Sequence, residues 1–186
     1  MSLLLTNEES EHLLFRLVQK SDFDAWLPMF EGPGVAGFFG LDPSKSNNEL
    51  CQEFFTRVFY RYEYDLGGMN ALIDKKTGKL VGQCGLLIQT IDKKKYLEIG
   101  YGILPEYWGM GYATEAAKKC RDYAFLNQLG DEIISIINTD NYGSMAVAKK
   151  NGMHIERYIP DYKGTPINLW QIDKSHWKLI FEKKSC

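Results

Sequence analysis

Cysteine is scarce in this chain, and its spacing is uninformative for cross-linking. Cys51, Cys84, Cys120 and Cys186 stand far apart and form no CxxC pair. That pattern argues against a disulfide framework and a thiolate zinc cage, and suits reduced thiols of a cytosolic protein. Histidine is equally thin: His12, His154 and His176 are isolated, with no metal-ligand spacing, so no metal is expected. No apolar run approaches membrane-spanning length, and the opening MSLLLTNEES has three leucines followed by acids, which does not match a signal peptide. Excess charge is missing too. Twenty-two basic residues face 24 acidic ones, for a net charge of −2, so nothing pulls the chain toward nucleic acid or an anionic membrane. Lys93-Lys94-Lys95 is a basic run between two strand-like segments and fits a solvated hairpin tip. Repeats and low-complexity tracts are absent.

What is present suits one domain over residues 1–186. The chain is 45% apolar and 25% charged, enough to bury a substantial core. Leu3 to Leu5 is expected as an edge strand and His12 to Val18 as a firm one, with Leu13, Phe15 and Leu17 alternating. Ser21 is placed to cap a short helix over Asp22 to Phe30, with Asp24 completing an approximate capping box. Val35 to Asn48 is a glycine-rich loop with room for a helical turn, and a second helix covers Asn48 to Tyr62 with Leu50, Phe54 and Val58 inward. Met69–Asp74 and Lys79–Thr90 form an antiparallel pair. Ile133–Ile137 is a short buried strand, and a last helix covers Gly143–Asn151. Met153–Ile159 and Asn168–Ile172 form a hairpin.

The organising stretch is Tyr96–Thr114, YLEIGYGILPEYWGMGYAT. Leu97, Ile99, Tyr101 and Ile103 alternate as a strand, and Pro105 ends it. Gly109 and Gly111 let the backbone turn, and a helix begins near Ala113 with Ala116, Ala117, Cys120, Tyr123 and Ala124 on one face. Gly130 is the expected C-cap. A glycine turn entering a helix presents unpaired N–H groups at the positive end of the helix dipole, a site for phosphate. No P-loop lysine follows, and Thr114 stands where a dinucleotide turn needs its third glycine. A coenzyme A pyrophosphate and a ligand-free tight turn remain.

The run EIGYGILPEYWGMGYATEAAK, with Asn141-Tyr-Gly-Ser144 after it, resembles the GNAT acetyltransferase superfamily, in particular the branch of ribosomal-protein N-terminal (alanine/serine) acetyltransferases. The resemblance runs in order from about Leu13 to Trp170. It implies a mixed α/β (α+β) domain, mostly antiparallel, in which Tyr96–Ile103 and Ile133–Ile137 are a splayed parallel pair. It implies acetyl-CoA as cosubstrate, with the pyrophosphate on the backbone of Trp108, Gly109, Met110, Gly111, Tyr112, Ala113 and Thr114. The pantetheine arm would pair along Ile103 and Leu104 and meet Asn141. Asn141 has a plainer reading as a helix cap. The tyrosine that many relatives carry seven residues after this asparagine is replaced by Ala148, and the thiolate-supporting role falls to Ser144, unless Ser144 is simply a first-turn residue. Tyr142 is a weaker substitute.

Glu98 faces opposite to Leu97 and Ile99, and is either the general base at a substrate cleft or a solvated strand residue; Glu106 and Glu115 are weaker candidates. The expected reaction is acetyl transfer to a primary amine by direct attack, the amine being a protein N-terminus or a small molecule. Trp26, Phe38, Phe39, Tyr158 and Tyr162 are available to shape specificity, with the loop after Val35 closing over substrate. The competing expectation is a non-catalytic acyl-CoA sensor on the same fold, and more distantly a nucleotide-binding module. The protomer is expected to be a monomer or a homodimer.

Overall fold

The computed structural model describes residues 2–182; Cys186 lies outside them. The chain runs β1 (Leu13–Leu17), α1 (Phe23–Trp26), α2 (Val35–Phe38), α3 (Asn47–Glu63), β2 (Gly67–Asp74), β3 (Leu80–Ile91), β4 (Lys94–Ile103), α4 (Tyr112–Leu126), β5 (Glu132–Asn138), α5 (Tyr142–Lys150), β6 (His154–Tyr162), β7 (Thr165–Asp173) and α6 (Lys174–Glu182). The strands form one seven-stranded sheet in the order β1-β2-β3-β4-β5-β7-β6. All neighbours are antiparallel except β4 and β5, which run parallel. The mixed, mostly antiparallel α+β sheet with one parallel pair is therefore as expected.

Each face of the sheet carries its own core, because side chains alternate along the strands. Leu97, Ile99 and Ile103 of β4 join Ala116, Ala117, Cys120 and Ala124 of α4 on one face. On the other, Met69, Ala71 and Leu87 pack with Leu50, Phe54, Phe55 and Val58 of α3 and with Trp26 and Met29. α3 starts on a reciprocal cap: the Glu49 carboxylate accepts from Ser46 N–H at 2.9 Å, while Ser46 Oγ accepts from Glu49 N–H.

Several local expectations change. Leu3–Leu5 is not a strand; Leu5 is buried and donates its N–H to Asn70 Oδ1. Leu17, expected inward, is 38% exposed at the end of β1. The first helix is broken into a 3-10 turn over Lys20–Asp22, α1, and a second 3-10 turn over Leu27–Phe30. Its cap involves neither Ser21 nor Asp24. The Asp22 carboxylate accepts Gln19 N–H at 2.8 Å and pairs with both terminal nitrogens of Arg16 at 2.7 Å. The helical turn allowed for in Val35–Asn48 is present as α2. Gln128, with φ of 56°, takes the left-handed position after α4 in place of Gly130. Leu129 N–H then closes back on Ala124 O, as in a Schellman cap. The terminal helix α6 was not legible; it buries Trp177 against Phe125.

Candidate active site

β4 and β5 share a single register pair, Glu98 with Ile134, and then part. Leu104 N–H bonds Val81 O on β3, so the even residues at this end of β4 pair backward. Ile99 O faces the other way and accepts from Ser135 Oγ of β5 at 2.9 Å. By the same alternation, Tyr101 and Ile103 turn their backbone groups into the opening. Trp108 Nε1 donates to Ile103 O at 2.6 Å, leaving the Ile103 N–H; Leu104 uses its N–H on Val81 and its carbonyl on Tyr107.

Past the opening, Gly109 (φ of 79°) and Gly111 (φ of 87°) turn the chain into α4. An added Cβ at either would meet nothing within 4 Å, so these glycines leave open space in front of the helix. The first helix-type bond here is Glu115 N–H to Gly111 O, so the amides of Tyr112, Ala113 and Thr114 lack intrahelical partners. Trp108 and Met110 are 57% and 60% exposed beside them. Two nearby acids are already engaged. Asp74 accepts from Tyr112 Oη at 2.7 Å, and that bond, with those from Thr77, holds it down at about 2. Burial pushes Glu115 up, but bonds from Ser10 and His12 outweigh it and keep the group below its ordinary value. Glu115 is therefore a tether for the segment before β1.

Glu98 is buried, which removes the solvated-strand reading. Its carboxylate accepts from Gln89 Nε2 at 2.6 Å, and Glu98 itself forms the one register pair of β4 with β5. Burial raises its proton affinity; Gln89, the Arg61 charge, Ile136 N–H and the Lys163 charge oppose that. Arg61, from the end of α3, is anchored through Nη2 to Leu66 O and Ile88 O, while its buried Nε has no partner among the described residues. Tyr162, raised by burial, senses both charges. α3, β4 and the β6–β7 turn thus converge on Glu98.

On the other face, Asn141 Oδ1 accepts Ser144 N–H at 3.0 Å and caps α5, leaving its amide nitrogen for a ligand. Ser144 is half-buried, and its carbonyl accepts from Tyr101 Oη at 2.8 Å. Tyr101, read from its alternation as core, thus brings a phenol to the α5 N-terminus; burial pushes that phenol up. Ala148 is buried in the core, whereas Tyr142 is 74% exposed. Trp26 is buried, Phe38 and Tyr158 are exposed, and Phe39 lies over Gly102. No cluster of three or more metal-ligating side chains occurs among the described residues. Arg61, Gln89 and Tyr101 were missed as site residues. Only Tyr101 carried a signal, being three residues beyond Glu98 on the strand that enters the opening.

A family model described as an acetyltransferase (GNAT) domain matches residues 12–154. The chain belongs to the GNAT acetyltransferase family. Acetyl-CoA is the cosubstrate of that family, and the open amides ahead of α4 have the chemistry its pyrophosphate needs.

Among relatives, this GNAT chain is 29% identical to the uncharacterized N-acetyltransferase YoaA of Bacillus subtilis strain 168 over 89% of its own length and 96% of that protein's. It is 42% identical to the uncharacterized protein YkkB of the same organism, over 53% of this chain; the match spans 56% of YkkB's length. A solved acetyltransferase from Agrobacterium tumefaciens strain C58, 22% identical, shares the fold with a TM-score of 0.74 over 92% of this chain and 96% of that one.

Proposed function

We propose that the protein is an N-acetyltransferase that moves the acetyl group of acetyl-CoA to a primary amine by direct attack in a ternary complex. The observation that carries this is the buried Glu98 carboxylate at the parting of β4 and β5, with its proton affinity raised by burial. A base so placed is out of reach of bulk water and beside the gap in which a thioester would lie.

The coenzyme pyrophosphate lies against the amides from Gly109 to Thr114, framed by Trp108 and Met110. The pantetheine arm lies between the parted strands, along Ile103 and Leu104 and against Asn141. The amine nitrogen attacks the thioester carbon, and an N–C bond forms. Its proton passes through a water to Glu98, the C–S bond breaks, and Ser144 supports the departing thiolate, with the Tyr101 phenol beside it. A covalent enzyme intermediate is not needed. The buried Cys84 and Cys120 thiols lie 3.5 Å from each other, and burial pushes the Cys84 thiol up, which is wrong for a nucleophile.

An α-amine with a pKa near ~7.7–8 costs about 1–1.4 kcal/mol to deprotonate at pH 7, against about 4.6 for an ordinary lysine. One buried carboxylate meets the first cost more readily, so a peptide or protein N-terminus, or another amine of low pKa, is the favoured acceptor. No helix among the described residues is long and apolar enough to cross a membrane, in keeping with a cytoplasmic single-domain enzyme, monomeric or homodimeric.

The test is a thermal shift with acetyl-CoA, desulfo-CoA, NAD and ATP, followed by thiol release against a panel of peptides, polyamines and aminoglycosides. Stabilisation by the two coenzyme A compounds alone, with thiol release on some amine, is expected. Coenzyme binding without release on any amine would replace the transferase reading with that of an acyl-CoA sensor.

A further inference from the structure

Gln83 of β3 is 0% exposed, and neither its Nε2 nor its Oε1 has a partner among the described residues. Its register neighbours are Ala71 on β2 and Gly102 on β4. Ala71 belongs to the core on the α3 side, and Gly102 shares parity with Glu98 along β4, so Gln83 lies on the Glu98 face of the sheet. Gly100 and Gly102 floor the strip between them without side chains. The room above is filled by adaptable groups. An added Cβ at Gly102 would stand 2.8 Å from Phe39 Cζ and 3.2 Å from Met29 Cε. At Gly100 it would stand 2.9 Å from Leu87 Cδ1 and 3.4 Å from Met69 Sδ. Methionine re-packs readily, being unbranched and polarizable.

A carboxamide buried without hydrogen bonds weakens a fold, and leucine or methionine at this position would remove that burden. Such a cost is accepted where a ligand supplies the missing partners. The planar pair of one acceptor and one donor on Gln83 is complementary to another amide. Gly102 is four residues from Glu98, about 13 Å along the strand. A carboxylate–water–amine relay takes up about 6 Å of that. The remainder, about 7 Å, equals two residues of extended peptide.

We propose that Gln83 determines acceptor specificity, pairing through Nε2 and Oε1 with an amide of the acceptor about two residues from the amine held near Glu98, while Met29, Phe39 and Met69 give way. The acceptor class is then a peptide-like amine in preference to an alkyl polyamine. This rests on the reading of the Glu98 face as the acceptor side.

The experiment compares kcat/KM for alanyl-alanine amide with that for alanine methyl ester, an α-amine of the same class that lacks amides, in the wild type and in Gln83→Leu. A preference of about 30-fold for the peptide amide is expected in the wild type, the worth of two ordinary hydrogen bonds. In Gln83→Leu it falls to near unity, with ester turnover and acetyl-CoA affinity unchanged and the melting temperature equal or higher. Gln83→Met, unbranched and of similar length, serves if the leucine variant does not fold. An unchanged ratio in the variants, or no preference in the wild type, overturns the inference while leaving the transferase reading intact. Acetyl-CoA binding with no thiol release on any amine overturns both.

Discussion

Gly111→Ala separates a coenzyme loop from a mere turn. Gly111 has a φ of 87°, and an added Cβ would meet nothing within 4 Å, so the substitution brings no clash. Its intrinsic cost is that of an alanine held in the left-handed region, about 1–2 kcal/mol. At about 2–4 °C per kcal/mol for a chain of this size, the melting temperature falls by about 2–8 °C. Gly34→Ala is the matched control, because Gly34 has a φ of 78° and equally open surroundings at the start of α2. The two variants part when acetyl-CoA is added. The new methyl at Gly111 stands in the space that a phosphate must enter to reach the amides of Tyr112 and Ala113. Loss of two charge-assisted bonds, at about 1.5 kcal/mol each, weakens binding by about 100-fold. At a concentration that gives the wild type about 2.7 kcal/mol of ligand stabilisation, the variant then gains about 0.4 kcal/mol. Differential scanning fluorimetry with and without acetyl-CoA reads this directly. Equal ligand-induced shifts in Gly111→Ala, Gly34→Ala and the wild type would refute the placement of the coenzyme against this turn.

Glu98→Gln should lower kcat by about 100-fold or more and, because burial raises the folded-state pKa, should also raise stability. The contribution of Glu98 is fully present below its ordinary pKa and is lost as pH rises through the raised value, so the gain should appear at pH 7 to 8 and vanish near pH 4. A melting-temperature difference that does not depend on pH would show that the carboxylate is not strained by burial. Ser135→Ala removes the buried bond from Ser135 Oγ to Ile99 O and should cost about 1 kcal/mol, or about 2–4 °C, with an unchanged circular dichroism spectrum; an unchanged melting temperature would mean that this bond does not help hold β4 to β5. Ser144→Ala should lower kcat more than it raises the acetyl-CoA KM. Wild-type kcat in that variant would remove Ser144 from the reaction.

Most of the fold was legible because local chemistry and tertiary packing agree. The alanine face of α4 is buried as spaced, and the β2–β3 and β6–β7 turns fall where glycine allows positive φ, although the reciprocal cap of Ser46 and Glu49 that starts α3 went unread. The errors fall where one residue had two possible jobs. Asp22, read as the first residue of a helix capped by Ser21, is drawn by Arg16 into a cap on Gln19, four residues before α1 begins. Gln128 takes the left-handed position two residues ahead of Gly130 because the Schellman closure onto Ala124 sets where the helix stops.

The candidate site was read along the chain and not across it. Gly109 and Gly111 came from the glycine turn ahead of α4, and Asn141 and Ser144 from the family resemblance; each stands at its own turn or helix end. Arg61, Gln89 and Gln83 matter only through neighbours supplied by other strands and helices, 9 to 37 residues away in sequence from Glu98. No periodicity records such a meeting; register does. Once β3 pairs with β4 so that Gln83 opposes Gly102 and Leu87 opposes Glu98, the glutamines at 83 and 89 must lie on the face of Glu98. A one-residue slip would turn both onto the α4 face and leave Glu98 without the Gln89 amide that holds it. The antiparallel pairing of β3 and β4 therefore both supports the sheet and determines which polar groups surround Glu98, the proposed base.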